Sequence, residues 1–156
     1  MLKEYIILIV LSIVLLAGCQ CKSQTTGEIM ECTIFPTGVY SQTYLVKIFA
    51  DGKFEITFGE VDANVNSIKF LKKNEYKCIT LNQADLNLLR DLQKQILSLN
   101  SFEKANVKKG GWEIILNTGE KKFNFYYGEM TDTPFGKIVD KILQITPLKI
   151  NIHSWS

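Results

Sequence analysis

The chain predicts an α+β fold: an antiparallel sheet built from two hairpins, with two amphipathic helices packed on one face. Two stretches carry the sheet. TYLVKIF-ADGK-FEITFGE at 43–60 and WEIILN-TGEK-KFNFYY at 112–127 each alternate apolar and polar residues on both sides of a turn. Two others carry the helices. LNLLRDLQKQILSLN at 86–100 and PFGKIVDKILQI at 134–145 repeat apolar residues at helical intervals.

Taken in order, the first hairpin places Tyr44, Val46 and Ile48 on one side of its first strand. Phe54, Ile56 and Phe58 occupy the matching side of the second, and Asp51-Gly52 supplies the turn. SIKFLKK and EYKCITL, in the stretch 67–81, extend the sheet, with Tyr76, Cys78 and Thr80 sharing a face. Asn82 then caps a helix over about 83–99. Its buried stripe is Leu86, Leu89, Leu92 or Gln93, Ile96 and Leu99, with Arg90 and Lys94 facing away. The second hairpin aligns Trp112, Ile114 and Leu116 with Phe123, Phe125 and Tyr127 across the turn at Asn117–Glu120. Thr133-Pro134 opens the second helix, since proline at the first position sacrifices no internal hydrogen bond. Its apolar face is Phe135, Ile138, Val139, Ile142 and Leu143, and Pro147 ends it. LKINIHSW is expected to form a last short strand. Lys53–Glu60 and Lys122–Glu129 share Lys, Phe, Gly and Glu at matching positions, as two hairpin-plus-helix units would.

The N-terminus is of another kind. IILIVLSIVLL at 6–16 is apolar except for Ser12. At about 1.5 Å rise per residue it covers roughly half of a hydrocarbon core about 30 Å thick, the length of a secretory signal core rather than a span. It runs into Leu16-Ala17-Gly18-Cys19, which resembles the lipobox of bacterial lipoproteins. The resemblance covers about the first twenty residues. It implies removal of residues 1–18 as a signal peptide and a diacylglyceryl thioether on Cys19, which becomes the first mature residue. Two or three acyl chains on one residue, at about 0.8 kcal/mol per buried methylene, make release from a bilayer negligible. Residues 19–39 then read as a lipidated tether, polar through QCKSQTTGEIM and punctuated by Pro36 and Gly38, and 40–156 as a single α+β domain. Gln20 after the anchor, with no acidic cluster, points to a cell-envelope protein on the periplasmic side of a membrane. The body resembles small α+β lipoprotein domains of unknown function, a likeness that implies no activity.

The cysteines fit an exported chain. After Cys19 come Cys21, Cys32 and Cys78. In an oxidising compartment Cys32 and Cys78 are the expected disulfide, closing a loop that stabilises by roughly 4 kcal/mol in the chain-entropy account. Cys21 is left free on the tether or pairs with Cys32 instead.

The net charge is +2 and no run of basic residues exceeds two, so the stripe that a nucleic-acid binder needs is missing. The single histidine, His153, is the fourth residue from the end, and no Gly-x-Ser-x-Gly occurs. No pair of ligands four apart on a helix suggests a metal, and no phosphate loop suggests a cofactor. No catalytic residue is assigned. The expected function is a binding or interaction module, a partner or inhibitor of another envelope protein. Its contact surface is the sheet face away from the helices, carrying Lys47, Glu55, Thr57, Asn124 and Tyr126. Trp112 and Tyr127 belong to the core side, which makes Tyr126 the exposed aromatic contact. The alternative is a carboxylate-dependent envelope hydrolase, for which Glu60 and Glu129, ending two similar strands, are the candidate pair.

Overall fold

A computed structural model describes residues 27–62, 68–99, 102, 111–150 and 152. The apolar leader, Cys19, Cys21, His153 and Trp155 lie outside the described residues. Among the described residues the architecture is the predicted α+β one, with six antiparallel strands and two helices. The strands are β1 (Glu28–Pro36), β2 (Thr43–Phe49), β3 (Lys53–Val61), β4 (Phe70–Thr80), β5 (Trp112–Asn117) and β6 (Lys122–Tyr126). The helices are α1 (Gln83–Leu97) and α2 (Pro134–Ile145). Spatial order across the sheet is β4-β3-β2-β1-β5-β6.

Both predicted hairpins form, β2–β3 and β5–β6. At the first turn Gly52 adopts φ +86°, a conformation that L side chains rarely take, and Asp51 Oδ1 accepts from Lys53 N at 3.0 Å. The two stretches after β3 join into one strand, β4, with Tyr76, Cys78 and Thr80 on a common face as expected.

What the sequence reading missed is β1. It was expected to be tether, and it is an inner strand, pairing β2 on one side and β5 on the other. Without it the two hairpins would not share a sheet. Met30, Cys32 and Ile34 point to the helices and are fully buried. Thr33 and Phe35 are buried on the opposite face too, so the strand reads as a nearly continuous buried run.

The helices cover one face. Leu86, Leu89, Leu92 and Ile96 of α1 join Phe135, Ile138, Val139 and Ile142 of α2 in one core with the inward residues of the strands. Leu99, assigned to that stripe, lies past the end of α1 and is exposed. Asn82 caps α1 by accepting from Asp85 N at 2.8 Å, and Thr133 caps α2 by accepting from Gly136 N at 3.3 Å. Arg90 and Gln93 reach from α1 to the Ala50 and Ile29 carbonyls, at 2.7 and 2.8 Å. Lys141 and Asp85 join the helices at 2.6 Å.

Three further expectations change. Tyr127 opens a short 3-10 turn (Tyr127–Glu129) and hydrogen-bonds Asp140 of α2, instead of ending β6. The described part of the C-terminal tail forms no strand, although Leu148 and Ile152 are buried against the core. The two similar octapeptides agree at Phe54 and Phe123, Ile56 and Phe125, which all face the core. They part at their ends, because Gly59-Glu60 stays within β3 whereas Gly128-Glu129 lies in the 3-10 turn. Among the described residues no helix is long and apolar enough to cross a membrane.

Candidate functional site

The face without helices is organised in rows that cross the sheet. One row runs Cys78, Glu55, Lys47, Glu31, Asn117, Lys122 from β4 to β6. The next runs Tyr76, Thr57, Leu45, Thr33, Ile115, Asn124. Of the five residues expected on this surface, Lys47, Glu55, Thr57 and Asn124 stand in these rows, and Tyr126, opposite Glu113, stands in the row beyond. They do not form one cluster. Lys47, Glu55 and Thr57 are neighbours, whereas Asn124 lies four strand spacings from Thr57, about 19 Å at 4.8 Å per spacing. Asn124 is tied to Glu113 Oε1 at 2.8 Å.

Tyr126 is a correction. It faces away from the helices but is only 7% exposed, so it is no open aromatic contact. Its phenol is pushed up by burial and by the nearby Glu113 and Glu129 carboxylates.

Charges on this face are mostly paired. Lys47 Nζ sits 2.8 Å from Glu28 and 3.0 Å from Glu31. Desolvation lowers the pKa of that amine, but hydrogen bonds to the two carboxylates outweigh it and leave it raised. Glu55 accepts from Lys53 at 2.5 Å and from the Tyr76 hydroxyl at 3.0 Å. Burial, then the Glu55 bond, raises the Tyr76 phenol.

The face is not flat. Ile68, just before β4, borders three concavities on it. The first, about 400 Å³, has Leu45, Lys47, Glu55 and Thr57 as floor and Phe70, Lys73 and Tyr76 as the β4 wall, with Lys69 at its lip. The second, about 340 Å³, shares Lys47 and Ile68 and adds Thr33, Asn117 and Lys122. These volumes lie at the lower end of those that hold small ligands.

The wall depends on Gly59. A Cβ there would lie 2.1 Å from the Lys72 carbonyl oxygen and 3.0 Å from the Phe70 ring. Pairing of β3 with β4 slips on either side of this point, between Phe58 and Gly59 and between Glu60 and Val61. The slips bring Phe70 and Lys73 beside the floor. Ile68, Lys69, Phe70 and Lys73 were not among the expected site residues. Their only signal was a glycine inside an aromatic strand, which marks a close backbone approach.

The cysteines depart from expectation. Cys32 is a free thiol, fully buried under the helices, and burial pushes its pKa up to about 12. Cys78 is therefore not bonded to Cys32. The row through Cys32 passes Val46 and Ile56 and reaches Lys77, three strand spacings or about 14 Å away. Cys78 stands one residue beyond, on the opposite face. A disulfide needs α-carbons within about 7 Å.

The candidate carboxylates also separate. Glu60 is on β3 and Glu129 follows β6, with β2, β1 and β5 between those strands. Four spacings, about 19 Å, exceed the roughly 5–9.5 Å that glycoside chemistry uses. Among the described residues no group of three His, Cys, Asp or Glu side chains converges as a metal site. No known protein family matches the chain, and no curated protein matches it.

Proposed function

We propose that the chain is an envelope lipoprotein, held to a membrane by lipid on Cys19, whose exported domain is a binding module for another envelope protein. The observation that carries the reading is the concavity of about 400 Å³ on the helix-free face, built around Lys47, Glu55 and Thr57. Its chemistry narrows the partner. Lys47 is already paired with Glu28 and Glu31, and Glu55 with Lys53 and the Tyr76 hydroxyl, so they position the floor. Lys69 and Lys73 form no ion pair among the described residues, and they stand beside apolar Leu45, Ile68 and Phe70. A partner segment offering a carboxylate next to an apolar side chain matches both features. The helical face offers a weaker alternative, since in its groove Lys141 is paired with Asp85 and Asp140 accepts from Tyr127.

Affinity capture from detergent-solubilised membranes of the native host tests the module. A partner should be recovered by the native chain and by Lys137→Glu on α2, and lost with Lys73→Glu. Recovery that ignores Lys73→Glu, or no recovery at all, overturns the assignment. Intact mass of the protein purified from that host tests the anchor. The expected species begins at Cys19 and carries a diacylglyceryl group; a chain starting elsewhere removes the membrane placement.

A further inference from the structure

The second concavity on the helix-free face, about 340 Å³, holds groups that the fold leaves unsatisfied. Thr33 is one of them. It lines this hollow while only 1% exposed, and its hydroxyl makes no hydrogen bond among the described residues. A hydroxyl buried without a partner costs free energy that a bound polar group would recover. Asn117 is another. Its Oδ1 accepts from Gly119 N at 2.9 Å, which leaves the amide nitrogen without an acceptor among the described residues. We propose that this concavity binds a free dipeptide with small side chains, its carboxylate on Lys122, its ammonium on Glu31, and its peptide group on Thr33 and Asn117.

The charges select a zwitterion. At one end Lys122, exposed at the start of β6, forms no ion pair among the described residues. At the other end Lys47 lies between Glu28 and Glu31, so one positive charge faces two negative ones and a carboxylate charge is left over. Of these two carboxylates, Glu31 is the one that lines the concavity. A ligand of a single sign would be attracted at one end and repelled at the other. A ligand carrying both signs is held at both.

The spacing selects the length. Glu31, Asn117 and Lys122 stand in one row on β1, β5 and β6. The outer members of that row are two strand spacings apart, about 10 Å. One extended residue covers about 3.5 Å, two about 7 Å and three about 10 Å. A single amino acid leaves one charge unmet, and a tripeptide leaves no room for the contacts at its ends. In a dipeptide lying along the row, the peptide bond comes over Asn117, whose amide nitrogen donates to the peptide carbonyl. The peptide N–H donates to the Thr33 hydroxyl, one row away on β1. The small volume and the apolar pair Ile68 and Ile115 suit short aliphatic side chains. The dipeptide site stands independently of the protein partner at the first concavity, with which it shares Lys47 and Ile68.

Heteronuclear NMR of the full chain in detergent micelles, titrated with L-alanyl-L-alanine, tests the site. The expected dissociation constant is on the order of 1 mM, as for a ligand of about a dozen heavy atoms, with amide shifts at Thr33, Ile115 and Asn117. N-acetyl-alanylalanine lacks the ammonium and alanylalanine amide lacks the carboxylate; each should bind at least tenfold more weakly. Lys122→Gln, at an exposed position, should weaken the free dipeptide at least tenfold and leave the amide form unchanged. Thr33→Val, which removes the hydroxyl and keeps the shape, should weaken the dipeptide about threefold. Lys137→Gln on α2 should bind as the native chain does. Absence of shifts at about 50 mM dipeptide overturns the site. Equal binding of the capped forms, or binding that ignores Lys122→Gln, overturns it as well. Acetate that shifts the same amides at the same concentrations reduces the site to an anion contact at Lys122 and overturns the dipeptide.

Discussion

The two faces of this one sheet are stabilised by different physics. Under the helices, Phe54, Ile56, Ile114, Leu116 and Phe125 are fully buried and contribute through apolar burial and packing. On the other face the same strands present Lys47 between Glu28 and Glu31, and Glu55 between Lys53 and Tyr76. Such exposed pairs are screened by solvent and contribute little. Apolar burial is thus greater under the helices; on the other face Thr33, Phe35 and Tyr126 are buried too, but beside them lie concavities and, among the described residues, lysines without an ion pair. That part of the face contributes little to folding and is free to carry binding groups.

The comparison breaks most readily at the core. Phe125→Ala opens a void among Phe102, Phe123 and Phe135 and should cost about 3–5 kcal/mol, read as a lowered urea midpoint. A loss under 1 kcal/mol would mean that the helical face does not dominate. Gly59→Ala comes next. Its Cβ must displace the Lys72 carbonyl, so a loss of about 1–3 kcal/mol is expected, with faster amide exchange confined to β3 and β4. Asn82→Ala removes the cap of α1 and should cost about 1 kcal/mol in the same unfolding measurement. Thr57→Ala, on the open face, should stay within about 0.5 kcal/mol of the native chain. If it matched Phe125→Ala, the contrast between the faces would be gone.

Alkaline titration sharpens the contrast. The Cys32 thiol titrates near 9.0 in the unfolded chain and at about 12 when buried. Between those values the folded chain keeps a proton that the unfolded chain releases. Stability is therefore full below about pH 9 and falls as pH rises toward 12, by at most about 1.4 kcal/mol per pH unit from this group. Tyr127, raised to about 12 first by burial and then by its bond to Asp140, acts in the same direction. Urea midpoints from pH 8 to 11 should fall more steeply in the native chain than in Cys32→Ala. Equal slopes would show that the thiol is not held protonated.

Much of this was legible residue by residue. The period-two pattern of Tyr44–Phe58 and Trp112–Phe125 is local chemistry, and so is the 3.6-residue stripe of Leu86–Ile96. These placed both hairpins and both helices, and they put Lys47, Glu55 and Thr57 on the uncovered face. β1 escaped because Thr33, Ile34 and Phe35 are buried on both faces, so alternation is lost where the strand is deepest. Tyr126 was assigned to the correct face and the wrong environment, since alternation decides direction and says nothing of what lies over a residue.

The sequence by itself determined which side chain of each strand points to the core, where α1 and α2 begin, and which residues turn the chain. Those properties follow from backbone sterics and from neighbours within a few residues. Tertiary structure alone decided that β1 lies between the hairpins, that Cys32 and Cys78 stand three strands apart, and that Ile68 and Lys73 share a concavity with Lys47. These depend on strand order and register, which are settled by burial summed over the whole sheet and leave no mark at any single position.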